Sequence, residues 1–259
     1  MLHNSQIYAT QSIAHSYIWP LLPFFKYFFK ATLQLEHCQR IYIHIDPIEK
    51  KKCILVNLIL SMNKNKSLLL IFYRNPELGK VKNRLAATIG DERALAIYIL
   101  MAAHARKLAL TIPVDRAVYY SEFIDREDNW LNKDFHKQFQ QGNDLGEKMK
   151  NAYKESFELG YESVCIIGTD CLELTEDILQ QAFESLKQHD TVIGPAADGG
   201  YYLLGMNRFI PEVFDKKKWS TDSVFNHTLE DFKQLQVSCH LLPTLSDVDV
   251  ESDLPLGLR

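Results

Sequence analysis

Ser67-Leu68-Leu69-Leu70-Ile71-Phe72-Tyr73 runs directly into Arg74-Asn75-Pro76-Glu77-Leu78-Gly79-Lys80-Val81-Lys82-Asn83-Arg84-Leu85. The first seven residues are continuously apolar and of strand length, as in a strand buried on both faces of a parallel sheet. The next twelve change abruptly to a turn carrying four cations and then a helical pattern. Moving outward, the alternation repeats. A helix reads from Asp91, taken as its cap, to about Leu110, and a strand over Asp115–Tyr120. Helical patterns at Asp144–Leu159, Thr175–His189 and Ser223–Leu235 alternate with strands at Ser163–Gly168, Asp190–Gly194, Gly200–Gly205 and Val237–Leu242. Strands separated by helices of ten or more residues predict an α/β fold with a mainly parallel, Rossmann-like sheet and helices on both faces.

The bulk composition is that of an ordinary globular chain. Of its 259 residues 46% are hydrophobic and 24% charged, and the net charge of −4 offers no basic surplus for nucleic acid. Five cysteines lie scattered with no CxxC pair, which suits reduced thiols and a cytoplasmic setting. Residues 1–61 read differently. Ile18–Leu33 is apolar but broken by Pro20, Pro23, Lys26 and Lys30, a poor membrane span. Residues 1–61 are therefore expected to be a poorly ordered extension without membrane contact, and residues 62–259 the working domain.

Ligands of open α/β sheets bind beyond the carboxyl ends of the strands, and the chemically rich segments sit at those ends. Arg74, Lys80, Lys82 and Arg84 surround a strand-to-helix turn, a natural phosphate cradle, and Gly79 lets backbone approach a ligand. A solvated basic loop is the plainer reading. Neither GxxxxGK[ST] nor GxGxxG is present. In Gln141-Gly142-Asn143-Asp144-Leu145-Gly146, the Gln141 amide could read a base edge and Gly146 could seat the base; a turn with an Asp144 cap explains the same residues. Asp170, at the strand end Gly168-Thr169-Asp170-Cys171, could hold Mg²⁺ or Mn²⁺, or could simply cap. Asp198-Gly199-Gly200-Tyr201-Tyr202 offers a carboxylate, space and aromatics to a sugar or hydroxyl acceptor, or else a tight turn. Trp219-Ser220-Thr221 reads as a cap with a core tryptophan, or as an acceptor contact. Asp247 and Asp249 are taken to face opposite sides of an extended segment, leaving one of them for a metal.

In order, R-N-P-E-L-G-K-V-K-N-R-L, Q-G-N-D-L-G-E-K-M, I-G-T-D-C-L-E-L-T, G-P-A-A-D-G-G-Y-Y-L-L-G, W-S-T and D-V-D-V-E-S-D-L resemble a bacterial family of GT-A-like transferases. That family is often labelled as glycosyltransferases of the arsenosugar-biosynthesis type. The resemblance covers about Leu68–Leu254. It implies a GT-A sheet, a nucleotide-linked donor and a divalent metal, Mg²⁺ or Mn²⁺. It would place phosphate contacts on Lys82 and Arg84, base contacts on Gln141 and Gly146, and metal ligands on Asp170 and Asp249. Leu172, Lys148 and Asn83 depart from the family's usual proline, arginine and threonine. The first loop also lacks the double glycine of nucleotidyltransferases. The leading expectation is a glycosyltransferase acting on a small-molecule acceptor, with Asp198 as base or positioning group and Gly199, Gly200, Tyr202 and Trp219 on the acceptor side. The alternatives are a nucleotidyltransferase joining a nucleoside monophosphate to a sugar phosphate, and a nucleotide-binding module without catalysis.

Overall fold

The computed structural model describes residues 66–259. The expectations for residues 1–61, and the boundary at 62, lie outside the described residues. Strand β1 (Ser67–Tyr73) leads through the cationic loop to α1 (Asn83–Ile89) and α2 (Asp91–Thr111), then to β2 (Asp115–Tyr120) and β3 (His136–Phe139). Helix α3 (Leu145–Glu158), β4 (Ser163–Ile167), α4 (Glu176–Ser185), β5 (Thr191–Pro195) and β6 (Tyr201–Met206) follow. The chain closes with α5 (Val224–Gln234), β7 (Cys239–Leu241) and short 3₁₀ turns. The sheet has seven strands in the order β3-β2-β1-β4-β6-β5-β7. All neighbours are parallel except β6, which runs antiparallel to both β4 and β5.

The pleat divides the apolar residues of β1 between two cores, because successive side chains point to opposite faces. Leu69, Ile71 and Tyr73 join Leu85 of α1, Tyr98 and Met101 of α2 and Leu179 of α4 on one face. Leu68 and Leu70 join Met149 and Tyr153 of α3 and Phe232 of α5 on the other. Strand β4 divides likewise, Cys165 and Ile167 to the first core and Val164 and Ile166 to the second. Helices thus cover both faces. Each fully buried side chain such as Leu69 or Ile71 contributes about 1.5–3 kcal/mol.

Three local expectations are corrected. Asp91 is the first residue of α2 rather than its cap; Gly90 holds the cap position at φ 84°, and Asp91 instead offers its charge to the positive end of the helix dipole. The helical pattern within the first loop, which reads from Lys80 to Thr88 in the sequence, starts only at Asn83, because Lys82 sits in the left-handed region at φ 50°, ψ 47°. Strand β3 was not anticipated. Its sequence His-Lys-Gln-Phe shows no apolar alternation, since it is an edge strand paired only to β2. The side-chain cap offered at Asp144 is formed, accepting from the Glu147 amide, and Thr175, at the start of the next helical pattern, caps α4 by accepting from the Ile178 amide.

Candidate active site

The carboxyl ends of β1 and β4, the β5–β6 turn, the start of α3 and the segment 247–249 enclose a cavity of about 1310 Å³. That is roomier than the roughly 300–1,000 Å³ of ordinary small-ligand pockets. Arg74, Lys80, Lys82, Arg84 and Lys148 bring positive charge to it; Asp170, Asp198, Asp247 and Asp249 bring negative charge.

Its centre is an ion-pair cluster. Lys82 Nζ lies 2.9 Å from Asp170 Oδ2 and 3.0 Å from Asp249 Oδ1, and its side chain is only 6% exposed. Three segments distant in sequence therefore meet on one ammonium. Burial alone would lower the Lys82 pKa; the charges and hydrogen bonds of Asp170 and Asp249 outweigh it and leave the value raised. Arg84 Nη1 reaches Asp249 Oδ2 at 3.5 Å from an exposed position. The backbone is tied at the same place: the Val248 amide donates to the Asp170 carbonyl at 3.0 Å, and Asp253 Oδ2 accepts from the Asp249 and Val250 amides. Left-handed backbone at a residue with a Cβ costs roughly 1–2 kcal/mol, so this cluster also holds Lys82 in a conformation it would not choose alone.

Asp247 and Asp249 both line the cavity, while Val248 between them is 2% exposed in the core. The expectation that they face opposite sides was wrong, because residues two apart in an extended segment share a face. Burial first, then the charges of Asp170 and Asp198, push the Asp247 carboxyl up to about 7, with Lys82 pulling the other way.

Tyr98 and Asn75 brace this centre, and the sequence reading assigned a site role to neither. The buried Tyr98 hydroxyl accepts from the Arg74 amide at 3.0 Å and from Thr169 Oγ1 at 3.3 Å, and donates to the Arg74 carbonyl at 2.7 Å. It thereby fixes the first loop beside Thr169, the residue before Asp170. Asn75, 2% exposed, accepts from the Glu122 amide and donates to the Phe123 carbonyl, joining the loops after β1 and β2. A tyrosine on the buried face of a predicted helix was the available signal, since a buried hydroxyl seeks partners.

Other expected site residues fall elsewhere. Gln141 is exposed and does not line the cavity; its neighbour Gln140 does, but its amide donates to the Tyr73 and Tyr119 carbonyls. A Cβ on Gly146 would lie 2.1 Å from Trp219 Nε1, so the space this glycine leaves is filled by the indole of the chain itself, not left for a base. Gly199, at φ 88°, makes room for the Asp222 backbone, whose carbonyl oxygen would lie 2.0 Å from an added Cβ. Gly79, at φ 71°, has ordinary space around it, with Asp91 as its neighbour. Tyr202 is buried in the cavity wall, its hydroxyl donating to the Pro243 carbonyl. Asp198 is exposed at the cavity, one oxygen accepting from the Gly200 amide at 2.9 Å. Trp219 lines the same cavity.

Residues 102–221 match the family model described as "Uncharacterized protein conserved in bacteria (DUF2064)". A crystal structure of a candidate nucleotide-diphospho-sugar transferase from Desulfovibrio desulfuricans G20 is 32% identical, with a TM-score of 0.66, over 72% of this chain and 83% of that one. The chain belongs to the DUF2064 family. The fold of this DUF2064 chain is that of the nucleotide-diphospho-sugar transferases. The inositol-1-phosphate CTP transferase from T. maritima is similar at 13% identity and a TM-score of 0.48, over 76% of this chain and 94% of that one. No curated protein matches the DUF2064 chain by sequence.

Among the described residues, no three histidine, cysteine, aspartate or glutamate side chains close on one point as a protein-only metal cage would. Asp170 and Asp249 form a pair closed on an ammonium. Magnesium is commonly bound by one or two carboxylates, with the remaining positions left to water and substrate phosphates, so the donor chemistry of this pair fits Mg²⁺ or Mn²⁺.

Proposed function

We propose that this DUF2064 chain is a metal-dependent glycosyltransferase moving a sugar from a nucleotide-sugar donor to a small hydroxyl-bearing acceptor. The observation that carries the reading is the convergence of Lys82, Asp170 and Asp249 at the strand ends, in a chain 32% identical to a candidate nucleotide-diphospho-sugar transferase. The state of the cations supports it. Lys80 is paired to Glu77 at 2.8 Å, and Lys82 is held by two aspartates. Arg74, Arg84 and Lys148 then supply the less committed positive charge at the cavity, a complement suited to a diphosphate more than to a triphosphate.

In this reading the acceptor oxygen attacks the anomeric carbon, the bond from that carbon to the diphosphate oxygen breaks, and the nucleoside diphosphate leaves. The acceptor's proton passes to a carboxylate at the cavity, for which Asp198 is the exposed candidate. Arg74 and Lys148 bind the diphosphate, and Tyr98 orients the loop that carries Arg74. A divalent ion on Asp170 and Asp249 would supply charge neutralisation to the leaving diphosphate.

The test is product analysis with purified protein, Mn²⁺ and a panel of nucleotide sugars. Nucleoside diphosphate is expected from at least one donor, and Asp170→Asn should lower its release by about 10²–10³-fold, the scale of losing a leading electrostatic contact. Pyrophosphate formed from a nucleoside triphosphate and a sugar phosphate, with no nucleotide sugar consumed, would replace this reading with nucleotidyl transfer.

A further inference from the structure

The place where Asp170 and Asp249 converge already holds a cation, and that cation belongs to the chain. Lys82 Nζ contacts one oxygen of each aspartate at 2.9 and 3.0 Å. The lysine is nearly closed off from solvent, whereas the two carboxylates are 44% and 41% exposed toward the cavity. Its backbone, left-handed at φ 50°, ψ 47°, directs it there from the residue before α1. The arrangement therefore looks inward from the lysine and outward from the aspartates.

We propose that Lys82 is a built-in competitor for the divalent ion: it occupies the carboxylate pair when the cavity is empty and must be drawn off before a metal binds there. This rests on the reading that Asp170 and Asp249 hold the metal. The charge balance explains why exchange is feasible. One ammonium faces two aspartates, and the other cation at the pair, Arg84, reaches Asp249 only at 3.5 Å from a largely exposed position, so close-range neutralisation of the two carboxylates is incomplete. A divalent ion would match the pair in full. Loss of Lys82 without replacement would leave the carboxylates repelling one another.

The same geometry makes metal and donor binding cooperative. A diphosphate entering beside Arg74 and Lys148 offers Lys82 an alternative anion. A lysine drawn toward phosphate releases the aspartates to the metal, and the coupling must run equally in the other direction. Lys82 is therefore a positioning residue that sets the order in which the site fills, and the resting protein should bind free metal weakly.

The experiment measures Mn²⁺ binding by electron paramagnetic resonance, without nucleotide, on the full chain, Lys82→Met, and Lys82→Met combined with Asp249→Asn. Melting curves with Mn²⁺ and with EDTA accompany it. Lys82→Met should bind Mn²⁺ about tenfold or more tighter than the unaltered chain, within the usual range of site coupling. It should melt lower in EDTA, and Mn²⁺ should raise its melting temperature more than it raises that of the unaltered chain. Asp249→Asn should abolish the gain. Equal or weaker Mn²⁺ binding by Lys82→Met overturns the competition, as does a Lys82→Met chain that stays unfolded in Mn²⁺, because the ion then cannot stand in for the ammonium. If the unaltered chain binds Mn²⁺ tightly through Asp249, competition fails while the metal reading survives. If no chain binds Mn²⁺ at this pair, both fail.

Discussion

Gly146 and Trp219 act as one unit, although 72 residues of sequence separate them. The indole nitrogen occupies the space where any larger residue at 146 would put its Cβ, 2.1 Å away. Phe214 stacks on the indole at 6.5 Å between centroids, so the direction left for the ring to retreat is the cavity it lines. Forcing a methyl into such a contact costs about 1–3 kcal/mol. Gly146→Ala is therefore expected to lose about that much stability in urea unfolding and to shift tryptophan emission to longer wavelength as Trp219 is pushed toward water. With Trp219→Ala added, the second change should cost less than it does alone, the signature of a coupled pair. A Gly146→Ala chain as stable as the original, with unchanged emission, would refute the pairing. The sequence could mark Gly146 as a point of close approach but not say what approaches. The same holds for Gly199 and the Asp222 backbone. A glycine records the absence of a side chain, and the neighbour that uses the space can come from any distance along the chain.

Elements were legible where burial was uniform and obscure where it was not. Leu68–Ile71 and Val164–Ile167 are buried on both faces and announce themselves as apolar runs. The edge strand β3 buries little and passes for a loop, whereas β7 reads within Val237–Leu242, longer than its Cys239–Leu241. What fixes β7 is a side-chain lock at its start. Asp190 Oδ2 accepts from the Ser238 amide at 3.0 Å and from Ser238 Oγ at 2.7 Å, while the Thr191 amide donates to the Ser238 carbonyl. The Ser238 hydroxyl, then its amide, with Arg208 adding to them, hold the Asp190 pKa below its ordinary 3.8. A carboxylate held low contributes stability that is present above the unfolded-state value and is lost as pH falls through the folded value. The contribution should therefore be intact at neutral pH and disappear below about pH 4. Asp190→Ala should cost about 1 kcal/mol at pH 7, the scale of a modest, partly exposed hydrogen-bonded contact. The gap between variant and original should narrow as unfolding is repeated toward pH 3. A gap that stays constant with pH would show that the carboxylate's charge has no part in holding β7. The carboxylates of the candidate site had been legible one by one, Asp170 at a strand end and Asp249 in the late D-V-D segment. Their union on Lys82 was not, because it depends on a left-handed backbone at 82 and on the Val248–Asp170 backbone bond, neither of which leaves a pattern in the sequence.

At the scale of the whole molecule, β1 lies inside the sheet with β2 and β4 on either side, and the cavity opens at the carboxyl ends of β1 and β4. Among the described residues, those lining the cavity run from Phe72 to Asp249. The entry to β1 is itself anchored by its own neighbours: the Lys66 carbonyl accepts from the Glu162 and Ser163 amides at 2.7 and 3.1 Å, and Lys66 Nζ meets Glu162 at 2.6 Å. A chain beginning at Met62 keeps that anchor, the seven strands and both apolar cores. It should express in soluble form and melt within about 2 °C of the full chain, less than the roughly 2–4 °C that 1 kcal/mol produces in a domain of this size. Mn²⁺ together with a nucleoside diphosphate should raise its melting temperature as much as it raises that of the full chain, since a ligand stabilises in proportion to its binding to the folded state. Aggregation, or a melting temperature lowered by more than about 4 °C, would make residues 1–61 part of the folding unit. An unchanged melting temperature with the ligand-induced rise lost would instead assign those residues to the binding site.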